Sequence, residues 1–138
     1  MKYMIMLMIF FISNTYNYAQ TKKILSFGDQ IKDQRLKLRN DAFCQCMWKV
    51  DSSILNLNDG SAAGYKAYMA YGDELILDLK IFTSEWVNKN EKNYTSWDNS
   101  LLTTMKCLDF YNSEELKKFA LKQDKRIDRD ILKQIYKK

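Results

Sequence analysis

The residues of this chain best suited to chemistry are three cysteines, Cys44, Cys46 and Cys107, and no histidine stands anywhere in its 138 residues to work with them. Without imidazole, the commonest general base and metal ligand is missing, and neither a Ser-His nor a Cys-His nucleophile can be built. The C-x-C spacing of Cys44 and Cys46 is not the C-x-x-C of a redox pair, and three cysteines without a second pair make a poor zinc site. The carboxylate pairs on offer are Glu74 with Asp78 and Asp128 with Asp130. Both lie among Lys and Leu residues in amphipathic patterns, which reads as a solvated helix face and not as an acid/base pair. The sequence carries no G-x-G-x-x-G, phosphate-loop or calcium-loop signature, and Asp29 and Asp33 lack the ligand order and closing Glu of a calcium loop. The expectation is a protein that is not an enzyme and needs no metal and no cofactor.

The N-terminus predicts where the cysteines meet their redox environment. Lys2 precedes the apolar run from Met4 to Ile12, and a polar stretch follows to Ala19 and Gln20. A basic residue, a short apolar core and a small residue are the parts of a secretory signal, and the run is too short to span a bilayer. Residues 1–19 are read as a signal peptide, and removing them from 138 leaves 119, read as one domain over 20–138 in the periplasm. No second long apolar run follows, so no membrane span is expected after signal removal.

In an oxidising compartment thiols tend to pair. Residues two apart on a helix point to opposite sides, so an internal bridge should join Cys107 to Cys46 or to Cys44. Cys46 is favoured because it lies beside an apolar stripe.

The elements that must position these groups are helices. There is no Pro and only 4 Gly, and strand signals are sparse. Residues 21–29 read as an extended or frayed arm. A first long helix is expected from about Gln30 to Val50 with Leu36, Phe43, Met47 and Val50 inward, continued by Ile54. A turn over Asn56 to Gly60 leads to a short helix capped by Ser61 and stopped by Gly72. Asp73 should cap the next, with Leu75, Leu79, Phe82 and Trp86 on one face up to about Lys89. A surface loop spans Asn88 to Ser96. A helix from near Asp98 should turn Leu101, Met105 and Leu108 inward, and Asn112 with Glu115 fits a capping box for another. Last comes an amphipathic stretch over 125–138 with Ile127, Ile131 and Ile135. The predicted fold class is all-α, a compact bundle of five to six helices.

Charge is unevenly shared. From Lys117 to Lys138 nine bases face three Asp, while residues 20–116 carry twelve bases and fourteen acids, within a whole-chain formal charge of +5. The basic extension is spaced like a solvated helix, and with no groove-reading motif beside it, nucleic-acid binding is not expected.

Three stretches, D-A-F-C-Q-C at Asp41 to Cys46, D-G-S-A-A-G-Y-K-A-Y-M-A-Y-G at Asp59 to Gly72, and L-L-T-T-M-K-C-L-D-F-Y-N-S-E-E-L-K-K-F at Leu101 to Phe119, together resemble the type VI secretion amidase immunity proteins of the fourth class. Met105 to Asp109 is the most specific piece. Ala63 stands where the family's string carries Gly. The resemblance implies a periplasmic homodimer that binds a papain-like peptidoglycan amidase and blocks its cleft.

Two candidate contact regions follow. The polar loop with Glu91, Lys92, Asn93, Tyr94 and Ser96 suits a cleft plug, Tyr94 supplying an aromatic anchor. The small-residue segment with Ser61, Ala63, Gly64 and Tyr65 suits close approach, either by the toxin or a second copy or by a neighbouring helix of the same subunit. The competing reading is an envelope-associated structural or adaptor protein that docks through its basic extension.

Overall fold

The computed structural model describes residues 25–53, 60–90, 94, 96 and 102–137. The expected signal peptide, Ile54, the turn over 56–59, residues 91–93 and Leu101 lie outside the described residues. Within them the architecture is all-α, with no strand: α1 (Phe27–Val50), α2 (Ser61–Ala67), α3 (Asp73–Lys89), α4 (Thr103–Asn112), α5 (Glu114–Lys122), a 3₁₀ turn (Gln123–Arg126) and α6 (Arg129–Tyr136).

The long α1 is the axis on which α2, α3, α4 and α5 pack. It starts earlier than expected. Ser26 caps it, its Oγ accepting from the Asp29 amide at 3.2 Å, so Phe27 to Asp29 are helical and not part of a loose arm. Asp29 in the first turn and Lys49 in the last complement the helix dipole. Its inward face is also not the one the apolar residues suggested. Leu38, Ala42 and Cys46 are fully buried, Phe43, Met47 and Val50 pack at the edge of the core, and Leu36 is exposed.

Helix α3 follows its pattern. Leu75 and Leu79 are buried, and Phe82 and Trp86 pack beside them against Phe110, which is itself fully buried. The fully buried side chains, Leu75, Leu79 and Phe110, contribute about 1.5–3 kcal/mol each by leaving water. The Phe82 ring stacks on Phe119 with centroids 4.6 Å apart, which carries α5 into the same core.

Helix α4 reverses the expected face. Lys106, Cys107 and Phe110 turn inward, whereas Met105 and Leu108 are exposed. The physical cause is the bond between Cys46 and Cys107, which brings their Cα atoms to 5.6 Å and forces position 107 toward α1. That is the pair favoured from the sequence, and Cys44, buried, is left out of it.

Three caps sit one residue from their predicted places. Gly60, Gly72 and Ser113 are the N-caps of α2, α3 and α5, in place of Ser61, Asp73 and Asn112. Ser113 Oγ accepts from the Leu116 amide at 3.1 Å, so the hydroxyl and not the amide side chain of Asn112 satisfies the first turn. Helix α2 also ends at Ala67, before Gly72, and Met69, Ala70 and Tyr71 run on as a buried, non-helical link.

The basic C-terminal stretch packs onto this body. The Asp128 amide donates to the Ala70 carbonyl at 2.8 Å, Leu132 is buried, and Ile131 is exposed although its spacing put it inward.

Candidate binding face

Helices α1 and α2, with one end of α4, enclose a surface furrow made of two adjoining hollows of about 330 and 500 Å³. Both are lined by Asn40, Ser61 and Tyr65. Leu36, Gly64 and Tyr68 continue the lining at one end, Phe43, Leu108 and Tyr111 at the other. Tyr68 is 61% exposed, Leu108 46% and Leu36 45%, so three large apolar side chains meet water along one groove. Clustering of this kind marks interaction surfaces, whereas isolated exposed apolar residues do not.

Of the four residues singled out in α2, the furrow gathers Ser61, Gly64 and Tyr65, while Ala63 is exposed outside its lining. Gly64 is the informative one. Nothing among the described residues comes within 4 Å of where its Cβ would be, so close packing inside the subunit does not require glycine there. A helix-interior glycine nevertheless costs about 0.5–1 kcal/mol relative to Ala.

The furrow's walls are stiffened by polar contacts. Arg39 lies 4.4 Å over the Tyr111 ring and donates to the Tyr111 carbonyl at 2.7 Å, and Phe43 meets that ring edge-on. At the other end Asp33 receives the Tyr136 hydroxyl and pairs with Lys37 Nζ at 2.6 Å. Partial burial pushes the Asp33 carboxyl up, but Lys37 and Tyr136 outweigh it and hold it below the usual carboxylate range. Burial and the bond to Asp33 push the Tyr136 phenol up.

The second predicted region lies at the start of the segment joining α3 to α4. Glu91, Lys92 and Asn93 are outside the described residues. Tyr94 is half-buried and drawn back onto the fold: its hydroxyl donates to Asp109 Oδ2 at 2.8 Å, its carbonyl accepts from the Leu102 amide at 3.1 Å, and Lys106 Nζ lies 5.8 Å from its ring. Burial first, and then the bond to Asp109, raises its phenol pKa. Ser96 is also half-buried.

The carboxylates weighed for catalysis have structural partners. Arg126 binds Asp78 at 2.5 Å and lies 3.9 Å from Glu74, and Asp128 caps α6. No group of three or more His, Cys, Asp or Glu among the described residues could hold a metal ion, and no helix among them is long and apolar enough to cross a membrane.

Sequence reasoning missed Leu36, Tyr68 and Leu108 as surface residues. Two of these three were assigned to the core because an apolar side chain at helical spacing was equated with burial. Open space beside Gly64 had no sequence signal at all.

Residues 37–120 match the model of a family described as type VI secretion system (T6SS) amidase immunity protein. No curated protein and no solved structure matches the chain. The matched span contains most of the furrow, the disulfide, and Tyr94 with Asp109.

Proposed function

Since this chain belongs to the family of type VI secretion system amidase immunity proteins, we propose that it neutralises its amidase by occlusion, without catalysis of its own. In this reading residues 1–19 deliver the chain to the periplasm, where the 20–138 domain meets a papain-like enzyme that cuts peptidoglycan peptides. The segment with Glu91, Lys92, Asn93, Tyr94 and Ser96 enters the enzyme's cleft. The furrow between α1 and α2 joins two copies into a homodimer, placing Gly64 of each where a partner backbone comes close.

The observation that carries this reading is the family match over residues 37–120, and the dimer within it rests on the furrow, where Leu36, Tyr68 and Leu108 are exposed together around a helical glycine that the subunit's own packing does not explain. An interaction surface gives each of these costs a purpose, because burial on association returns the apolar area to a dry environment. Tyr94 supports the plug as its tether, since the bond to Asp109 fixes this point of the segment to α4 and lowers the freedom lost on binding.

The test is to mix the purified protein with a Cys-His amidase encoded beside it and to follow wall hydrolysis together with size exclusion. Inhibition with a stable complex is expected. Undiminished hydrolysis and no complex would remove the proposal, and a monomer at micromolar concentration would remove its dimer.

A further inference from the structure

Helix α4 holds Tyr94 but has few means of holding itself. Tyr94 is seated by three groups of this one element: Asp109 Oδ2 accepts from its hydroxyl at 2.8 Å, the amide of the N-cap Leu102 donates to its carbonyl at 3.1 Å, and Lys106 Nζ lies 5.8 Å from its ring. The helix is 10 residues long, no side chain caps its first turn, and neither an acid in that turn nor a base in the last complements its dipole. A helix this short is not stable in isolation, so packing must hold it.

That packing is uneven along its length. Toward the C-terminus Phe110 is fully buried against Trp86, with ring centroids 4.9 Å apart, and Arg39 grips Tyr111 through both its carbonyl and its ring. Toward the N-terminus Thr104 and Met105 are exposed, and the fully buried side chain is Cys107, bonded to Cys46 of α1. Cys107 stands between Lys106 and Asp109 in the chain, so the covalent link enters α4 within two residues of both side chains that meet Tyr94. Cys46 is fully buried as well, which makes the link a standing constraint of the folded protein and not a contact that solvent reagents reach.

We infer that Cys46 and Cys107 are positioning residues for the inhibitory segment: their bond fixes the N-terminal half of α4, and that half holds the segment at Tyr94. The inference rests on the occlusion reading above and adds to it that inhibition depends on the bond through Tyr94, beyond what the bond contributes to stability.

The test is a double-mutant cycle read as dissociation from the amidase, over the wild type, Tyr94→Phe, the bond-free variant Cys46→Ala, Cys107→Ala, and all three changes together. The bond-free protein should dissociate about tenfold faster, and adding Tyr94→Phe to it should change the rate by less than about twofold, because changes that act through one contact do not add. Leu132→Ala removes a buried side chain under α6, outside the core cluster that contains Cys107, and should lower thermal stability while leaving the dissociation rate unchanged. Additive effects in the cycle, or an equal acceleration by Leu132→Ala, would show that the bond serves stability alone and would overturn the inference. If the double-alanine variant does not fold, Cys46→Ala, Cys107→Val, which restores apolar volume, takes its place, and failure of both to fold would overturn it too. A wild type that does not inhibit would remove the occlusion reading itself, whereas an inhibiting wild type with an additive cycle would remove this inference alone.

Discussion

The Tyr94 hydroxyl donates to the Asp109 carboxylate at 2.8 Å, tying the segment after α3 to the solvent side of α4. Lys106 near the ring and Trp86, its centroid 6.4 Å away, complete the seat. If this seat presets a cleft plug, Tyr94→Phe should keep the ring in place and lose only the tether. We expect amidase inhibition to weaken about three- to tenfold through faster dissociation, with stability changed by less than about 1 kcal/mol because the bond is exposed. Replacing residues 91–94 by Gly and Ser should remove inhibition and leave the helical far-UV signal intact. Surface plasmon resonance and circular dichroism read the two effects separately, and an unchanged dissociation rate in both variants would remove the plug.

The Cys46–Cys107 bond joins positions 61 residues apart and pins α4 to α1 at the centre of the core. Closing a loop of that length stabilises by about 4 kcal/mol in the chain-entropy description, and removing a native bond from a small secreted domain costs about 2–5 kcal/mol. The double variant Cys46→Ala, Cys107→Ala should lose that much in denaturant unfolding, and Cys44→Ala much less. Equal losses for the two would show that Cys44 carries part of the constraint.

That bond also explains which parts of the fold were legible in the sequence. Helix α3 was, because Leu75, Leu79, Phe82 and Trp86 are large, evenly spaced and all needed by one core. Helix α4 was misread because Met105 and Leu108 compete in size with Cys107, and apolar periodicity cannot say which face a covalent bond has claimed. Had the favoured pairing been imposed on the helix, Cys107 and Phe110 would have set the inward face. In α1 the fully buried set includes Gln34 and Asp41, polar residues whose burial depends on distant partners such as the Ala70 amide, which donates to Gln34 Oε1 at 2.7 Å. The capping errors are of one residue, the spacing at which Ser, Asn, Asp and Gly compete for the same role. The α2 segment was singled out by its small residues, but the exposure of Ser61, Ala63 and Gly64 could only come from knowing what packs against them.

Acid should act on two aspartates in opposite directions. Burial pushes Asp33 up, yet Lys37 and Tyr136 leave it below its ordinary value, so its contribution is complete above the unfolded carboxylate range and is lost as pH falls through the lower folded value. Asp41 is fully enclosed, with Lys66 at 3.9 Å and Gln45 bonded to it, and burial keeps its carboxyl raised. Its contribution is complete below the unfolded value and declines as pH rises through the folded one. Asp33→Asn should therefore cost about 1 kcal/mol near neutrality and progressively less as pH falls through the lowered folded value, the figure being kept small because the group is a third exposed. Asp41→Asn should lessen the rise in stability that Asp41 gives toward low pH. Urea unfolding at several pH values decides, and parallel profiles for the two variants would contradict the opposed assignments.

Gly64 offers the sharpest separation of folding from association. Its Cβ position is empty within 4 Å, so Gly64→Ala should stabilise the isolated subunit by about 0.5–1 kcal/mol, as expected of a helix-interior glycine freed from any packing duty. A partner backbone lying against α2 would feel the opposite effect, because even one methyl group there forces the two copies apart. Gly64→Gln, larger still, should fit the subunit equally well and lower dimer affinity by about tenfold or more, and Leu36→Asp should do the same by placing a charge in the furrow. Thermal unfolding at low concentration and sedentation of the dimer by analytical ultracentrifugation measure the two quantities independently. A dimer that persists with both Gly64→Gln and Leu36→Asp would place the homodimer contact on another surface, while a fall in subunit stability with Gly64→Ala would show that the helix needs its glycine for folding.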